Sequence, residues 1–132
     1  CEATVLLGFT HGADLVGDKK LARLGAEVQI VTVDGTQGLR GVAPDYIDQT
    51  LAQKPYDCLY ACGPNIMLQK TAEYAAAAGL PCQVSLEERM GCGSGICMGC
   101  VCKVRMADGS IKMRRVCHDG PVFQGQEVVW NG

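Results

Sequence analysis

No apolar run in this sequence approaches the roughly 20 residues of a membrane span, so no segment reads as a transmembrane helix. Charge of one sign is equally scarce: 12 Lys and Arg against 14 Asp and Glu leave a formal net charge of −2, scattered along the chain. That distribution offers no electrostatic footprint for nucleic acid or an anionic membrane. Repeats, low-complexity tracts and long linkers are also missing. No signal-peptide pattern opens the chain, which starts at Cys1. Together with an odd total of nine cysteines, this argues against a secreted disulfide scaffold and for a reducing, cytoplasmic setting. The 132 residues suffice for one ordinary domain, or for a small domain with a module attached.

Four of the nine cysteines form a pattern. Cys92, Cys97 and Cys100 are spaced C-x4-C-x2-C, and Cys117 follows after 16 intervening residues. Plant-type [2Fe-2S] proteins draw three ligands from one loop with this spacing and the fourth from elsewhere. Gly91, Gly93, Gly95 and Gly99 let the backbone wrap closely and turn N–H groups toward cluster sulfurs. Tetrahedral zinc also suits four thiolates, though such sites usually pair two C-x2-C knuckles and only one is present. A reduced thiol-rich loop is the plainest alternative.

The first 90 residues alternate short apolar runs with helical patterns. Strands are expected around Thr4–Gly8, Glu27–Val33, Asp57–Ala61 and Cys82–Leu86, and helices over Asp14–Leu24, Pro44–Gln53 and Asn65–Ala78. This α/β order predicts a parallel sheet covered on both faces, with ligands at the carboxyl ends of its strands. After Met90 the pattern becomes a loop and a β-hairpin, Val101–Met106 and Ile111–Val116 around Asp108-Gly109, which brings Cys100 and Cys117 together. The expected division is 1–88, an α/β domain, and 89–132, a cluster-binding module.

Two strand ends carry further candidates. Cys62-Gly63-Pro64 sets a thiol and a helix-opening turn where a nicotinamide could lie, or is an ordinary turn after a small residue. Asp34-Gly35 can accept hydrogen bonds from an adenosine ribose and would repel a 2′-phosphate, favouring NAD; a solvated turn aspartate fits the same residues.

Three segments then carry a resemblance: Tyr60-x-Cys62-Gly63-Pro64; Glu87-Glu88-Arg89-Met90-Gly91-Cys92-Gly93-x-Gly95-x-Cys97-x-Gly99-Cys100; and Val116-Cys117-x-Asp119-Gly120-Pro121-Val122-Phe123. Together they resemble the electron transfer subunits of NAD-dependent dihydroorotate dehydrogenases, in the ferredoxin reductase superfamily. The resemblance implies that Cys92, Cys97, Cys100 and Cys117 hold a [2Fe-2S] cluster, and that Cys62, Gly63 and Pro64 belong to the nicotinamide side. It implies a partner catalytic subunit carrying FMN, with FAD and NAD completing an electron relay in pyrimidine biosynthesis. The small subunit of a ferredoxin:NADP oxidoreductase shares this architecture, and a zinc-holding assembly module is the non-redox alternative.

That family begins with an FAD-binding barrel and a pyrophosphate turn. Neither pattern precedes Cys1, so the chain reads as a C-terminal fragment, a truncated sheet followed by the cluster loop and hairpin, inactive alone and without FAD. The missing strand predicts direct pairing of the Thr4 and Asp57 strands or self-association of chains. Cys102 is expected to pack on the hairpin's apolar side, and Cys1, Cys58 and Cys82 to behave as small apolar residues. His11 and His118 read as surface histidines without acidic partners. Lys103, Arg105, Lys112, Arg114 and Arg115 read as a solvated face.

Overall fold

The computed structural model describes residues 1–130, which form two compact units, one over residues 1–50 and the other from Leu51 onward. In the first, β1 (Thr4–Phe9), β2 (Glu27–Thr32) and the two-residue β3 (Leu39–Arg40) make a three-stranded parallel sheet in that order. The β1–β2 register runs from Thr4 opposite Glu27 to Phe9 opposite Thr32, so both strands end at the same level. Helix α1 (Asp18–Arg23) packs against β2. It starts later than the periodicity suggests, because Gly17 takes a φ of 90° and breaks the chain into a short 3-10 turn at Gly12–Asp14 and the helix proper. Gly25 ends it at a φ of 87°, where the amides of Gly25 and Ala26 bond the carbonyls of Ala22 and Leu21. The expected helix over Pro44–Gln53 is likewise divided, into a 3-10 turn at Ala43–Tyr46 and α2 (Ile47–Leu51).

The second unit holds β4 (Leu59–Cys62), α3 (Asn65–Ala77), β5 (Cys82–Ser85), the hairpin β6 (Val101–Arg105) and β7 (Ile111–Arg115), one helical turn α4 (Val116–Asp119), and β8 (Val122–Gln124). β5 lies between β4, which runs parallel to it, and β8, which runs antiparallel. Helix α3 covers β4 and β5, and Gly79 stops it in the same way as Gly25 stops α1. Leu68, Ala72 and Ala75 of α3 meet Cys82, Val84 and Leu86, while Cys100, Val116 and Val128 join the same core. The cysteine loop is therefore tied to a packed interior at both ends.

The single parallel sheet expected from the sequence is not what forms. Each unit has its own three-stranded sheet, and the second is mixed, because Val122–Gln124 folds back on β5. That three-residue strand is too short to leave an alternation pattern. Among the described residues no ladder joins the Thr4 strand to the Asp57 strand; β1 and β4 are edge strands of separate sheets. No helix among the described residues is long and apolar enough to cross a membrane.

Candidate metal centre

The loop between β5 and β6 has no regular secondary structure, and its shape is set by glycine. Gly93 and Gly95 adopt φ values of 67° and 81°, a region that costs other residues about 1–2 kcal/mol. At Gly91 and Gly99 the constraint is space: an added Cβ would stand 3.3 and 3.4 Å from the Cys97 sulfur. At Gly95 it would press on the His118 ring at 2.7 Å.

All nine cysteines are free thiols. The four with the ligand spacing arrange themselves two and two. The amides of Ser94 and Cys97 both donate to the Cys92 sulfur at 3.4 Å, and the amide of Cys117 donates to the Cys100 sulfur at 3.4 Å. The hairpin supplies the second pair: Val101 faces Arg115 as its last rung, and the Val116 amide bonds the Cys100 carbonyl at 2.8 Å. Cys117 leaves from the helical turn α4, not from a strand.

These contacts alter thiol chemistry. The Ser94 side chain, with the Cys97 and Ser94 amides, brings Cys92 down to about 5. The Cys117 amide lowers Cys100 as well, and that neighbour's thiol raises Cys117. Burial raises Cys82 and Cys102, and both pack in the core. Cys1 departs from expectation, standing exposed, and Cys58 is half-buried.

Two thiol pairs, each with a backbone N–H on a sulfur, fit a binuclear cluster that takes two thiolates per iron.

Arg115 does not belong to a solvated face. Its amide and Nε donate to Asp119 Oδ2 at 2.8 and 3.3 Å, and its Nη1 donates to the Gly95 carbonyl. His118 Nδ1 lies 3.1 Å from Asp119 Oδ1, so this histidine does have an acidic partner. The Arg115 amide, then His118, then the Arg115 side chain hold Asp119 well below the usual carboxylate range. A Cβ at Gly120 would collide with the Phe123 ring. Only the position of Arg115, last in its strand, could have signalled this fastening.

The remaining candidates lie at strand ends, as expected. Cys62 is the last residue of β4 and is exposed; Gly63 follows at a φ of 149° and Pro64 caps α3. In the first unit Asp34 occupies the turn after β2. Its Oδ1 accepts from the Thr36 amide at 3.0 Å and the Thr36 hydroxyl at 2.7 Å, and its Oδ2 lies 2.8 Å from His11 Nδ1. Gly35 has a φ of 73° and packs beneath the Arg40 stem. The Thr36 amide, then His11, then the Thr36 hydroxyl hold Asp34 well below the carboxylate range, and the same pairing raises His11. His11 is thus partnered, contrary to its isolation in sequence.

Residues 87–129 match the family described as the iron-sulfur cluster binding domain of dihydroorotate dehydrogenase B. The chain is 38% identical over 130 residues, 98% of its length, to the dihydroorotate dehydrogenase B (NAD(+)) electron transfer subunit of Desulforamulus reducens, and covers 49% of that protein. With the subunit of the same name from Caldanaerobacter subterraneus subsp. tengcongensis it shares 40% identity, over 96% of this chain and 49% of the relative. Geobacillus thermodenitrificans has another, 44% identical over 94% of this chain and 46% of the relative. The chain therefore spans about half the length of these relatives. A solved structure from work on flavin-based electron bifurcation, an NADH-dependent reduced ferredoxin-NADP oxidoreductase, superposes with a TM-score of 0.80 at 32% identity, over 97% of this chain and 44% of that one.

Proposed function

From the premise that this chain is a relative, along nearly its whole length, of the electron transfer subunits of dihydroorotate dehydrogenase B, we propose that it conducts electrons through a [2Fe-2S] cluster held by Cys92, Cys97, Cys100 and Cys117. The observation that carries the reading is the two-and-two pairing of these thiols with amides on their sulfurs. When bound, the cluster supplies one-electron transfer with little rearrangement. The chain's own work is to keep Cys92 ionised, to shelter Cys100 in the core, and to fasten the loop through Arg115.

In this reading the functional division is 1–88 for the nicotinamide nucleotide and 89–132 for the cluster. Asp34 and Gly35 serve the adenosine ribose, and Cys62, Gly63 and Pro64 the nicotinamide. The partner is an FMN-bearing subunit that oxidises dihydroorotate, with FAD bound by the portion of the relatives that this chain does not span. The structural likeness to a ferredoxin-NADP oxidoreductase supports a second reading, the same relay serving ferredoxin and NADP.

Anaerobic reconstitution with iron and sulfide tests the cluster. The expected product is red-brown, holds two irons and two sulfides per chain, and gives a rhombic electron paramagnetic resonance signal on reduction. A colourless protein that retains one zinc in preference to iron would sink the reading. Co-purification with an FMN subunit and dihydroorotate-dependent reduction separates the two partner assignments.

A further inference from the structure

The cysteine loop and the hairpin are joined through one residue of each. Gly95, between Cys92 and Cys97, donates its amide to the Cys117 sulfur, so the loop that carries the first thiol pair reaches across to the second. The carbonyl of the same glycine is taken by Nη1 of Arg115, which stands just before Val116 and Cys117. Arg115 is in turn braced on Asp119: its Nε lies 3.3 Å from Oδ2, its Nη2 3.4 Å from Oδ1, and its amide donates to Oδ2 at 2.8 Å. Nη2 also stands 3.5 Å from His118 Nδ1. The guanidinium is thus a fork with one prong on the loop and the others on the helical turn α4, a task that suits its rigid plane and not a single ammonium. With side chains 30% and 18% exposed, the Arg115–Asp119 pair is only partly screened by water. Gly95 sits at a φ of 81° in a loop without regular secondary structure, so contacts such as this one, and not a ladder, orient its peptide groups.

We propose that Arg115 is a positioning residue of the metal centre: by holding the Gly95 carbonyl it keeps the Gly95 amide on the Cys117 sulfur, and that hydrogen bond favours the reduced state of the cluster. This rests on the [2Fe-2S] reading given above and adds to it a residue that sets the potential. Reduction adds one negative charge, which the thiolate sulfurs share, so an N–H aimed at a sulfur makes a stronger hydrogen bond in the reduced form than in the oxidised one. Losing that bond lowers the potential. Arg115 brings little net charge of its own, because Asp119 neutralises it. Its effect runs through the Gly95 peptide groups.

The test is the midpoint potential of the reconstituted cluster, from a mediated dithionite titration followed by electron paramagnetic resonance, in the wild type, Arg115→Lys and Arg115→Gln. Loss of a hydrogen bond to a charged group predicts about a tenfold fall in the reduction equilibrium constant, which is about 59 mV downward for one electron. Arg115→Lys keeps the charge but cannot fork between Gly95 and Asp119, so it should fall together with Arg115→Gln. A variant that no longer loads iron and sulfide, yet melts like the wild type when both are cluster-free, also supports the positioning role; lost loading together with a lowered melt overturns it in favour of a general structural one. Midpoints unchanged or raised in both variants overturn the inference alone. So does a midpoint lowered in Arg115→Gln and not in Arg115→Lys, because charge and not position would then act. A wild type that builds no cluster overturns the cluster reading and the inference with it.

Discussion

Serine at Cys92, Cys97, Cys100 or Cys117 replaces a thiolate by a hydroxyl that binds iron poorly, and each change should cost iron retention at least the roughly tenfold that even an outer-shell partner is worth. Cys82→Ser and Cys102→Ser should keep the visible absorbance. Cys82 is fully buried, so its penalty falls on stability, about 1–3 kcal/mol for a hydroxyl without a partner. Iron assay beside denaturant melts separates the two classes; loss of iron in Cys102→Ser but not in Cys117→Ser would overturn the ligand set. Alkylation gives an independent check. In cluster-free protein Cys92, with its pKa about 5, should already be ionised at pH 7 and react with iodoacetamide ahead of Cys82 and Cys102, which burial raises. Its labelling should fall as pH drops through about 5 and be blocked by loading iron and sulfide, as peptide mass spectrometry would record. At this scale spacing alone singled out four thiols, which the structure sets in two pairs. The partners of His11 and Arg115 were not legible, because Asp34 and Gly95 lie 23 and 20 residues away and meet them only where the fold brings turns together, whereas the partner of His118 is the adjacent Asp119 and was overlooked.

The cysteine loop has no ladder of its own, so hairpin and turn must hold it. Arg115 does this from the end of β7, reaching Gly95 on one side and Asp119 on the other. Gly95→Ala should therefore cost more than an ordinary left-handed glycine. Its Cβ meets the His118 ring as well as an unfavourable φ, giving about 2–3 kcal/mol, whereas Gly79→Ala, with open space around it, should cost about 1. Urea melts of the two variants compare them directly; equal losses would remove His118 from the account. Hairpin and α3 were readable, the first from Asp108-Gly109 between alternating runs, the second from Pro64 before it and Gly79 after it. The start of α1 was not, since Gly17 interrupts a pattern whose periodicity carries on through it.

At the scale of the whole molecule the α/β order was legible but the number of sheets was not, because alternation of strands and helices is the same whether strands share one sheet or two. β1 and β4 each end a sheet, and β4 presents Tyr60 at 73% exposure beside the exposed Cys62. An edge strand with an apolar, uncharged surface is a template for another chain, and no Lys, Pro or bulge interrupts Leu59–Cys62. The protein should therefore self-associate with rising concentration through β4, and sedimentation velocity under reducing conditions should show dimer growing at the expense of monomer. Tyr60→Lys sets a charge on that edge and should shift the midpoint at least tenfold toward higher concentration, while the buried core, which does not include Tyr60, keeps its melting temperature. A strictly monomeric wild type over the whole accessible range, or a dimer indifferent to Tyr60→Lys, would show that the β4 edge does not recruit a second chain.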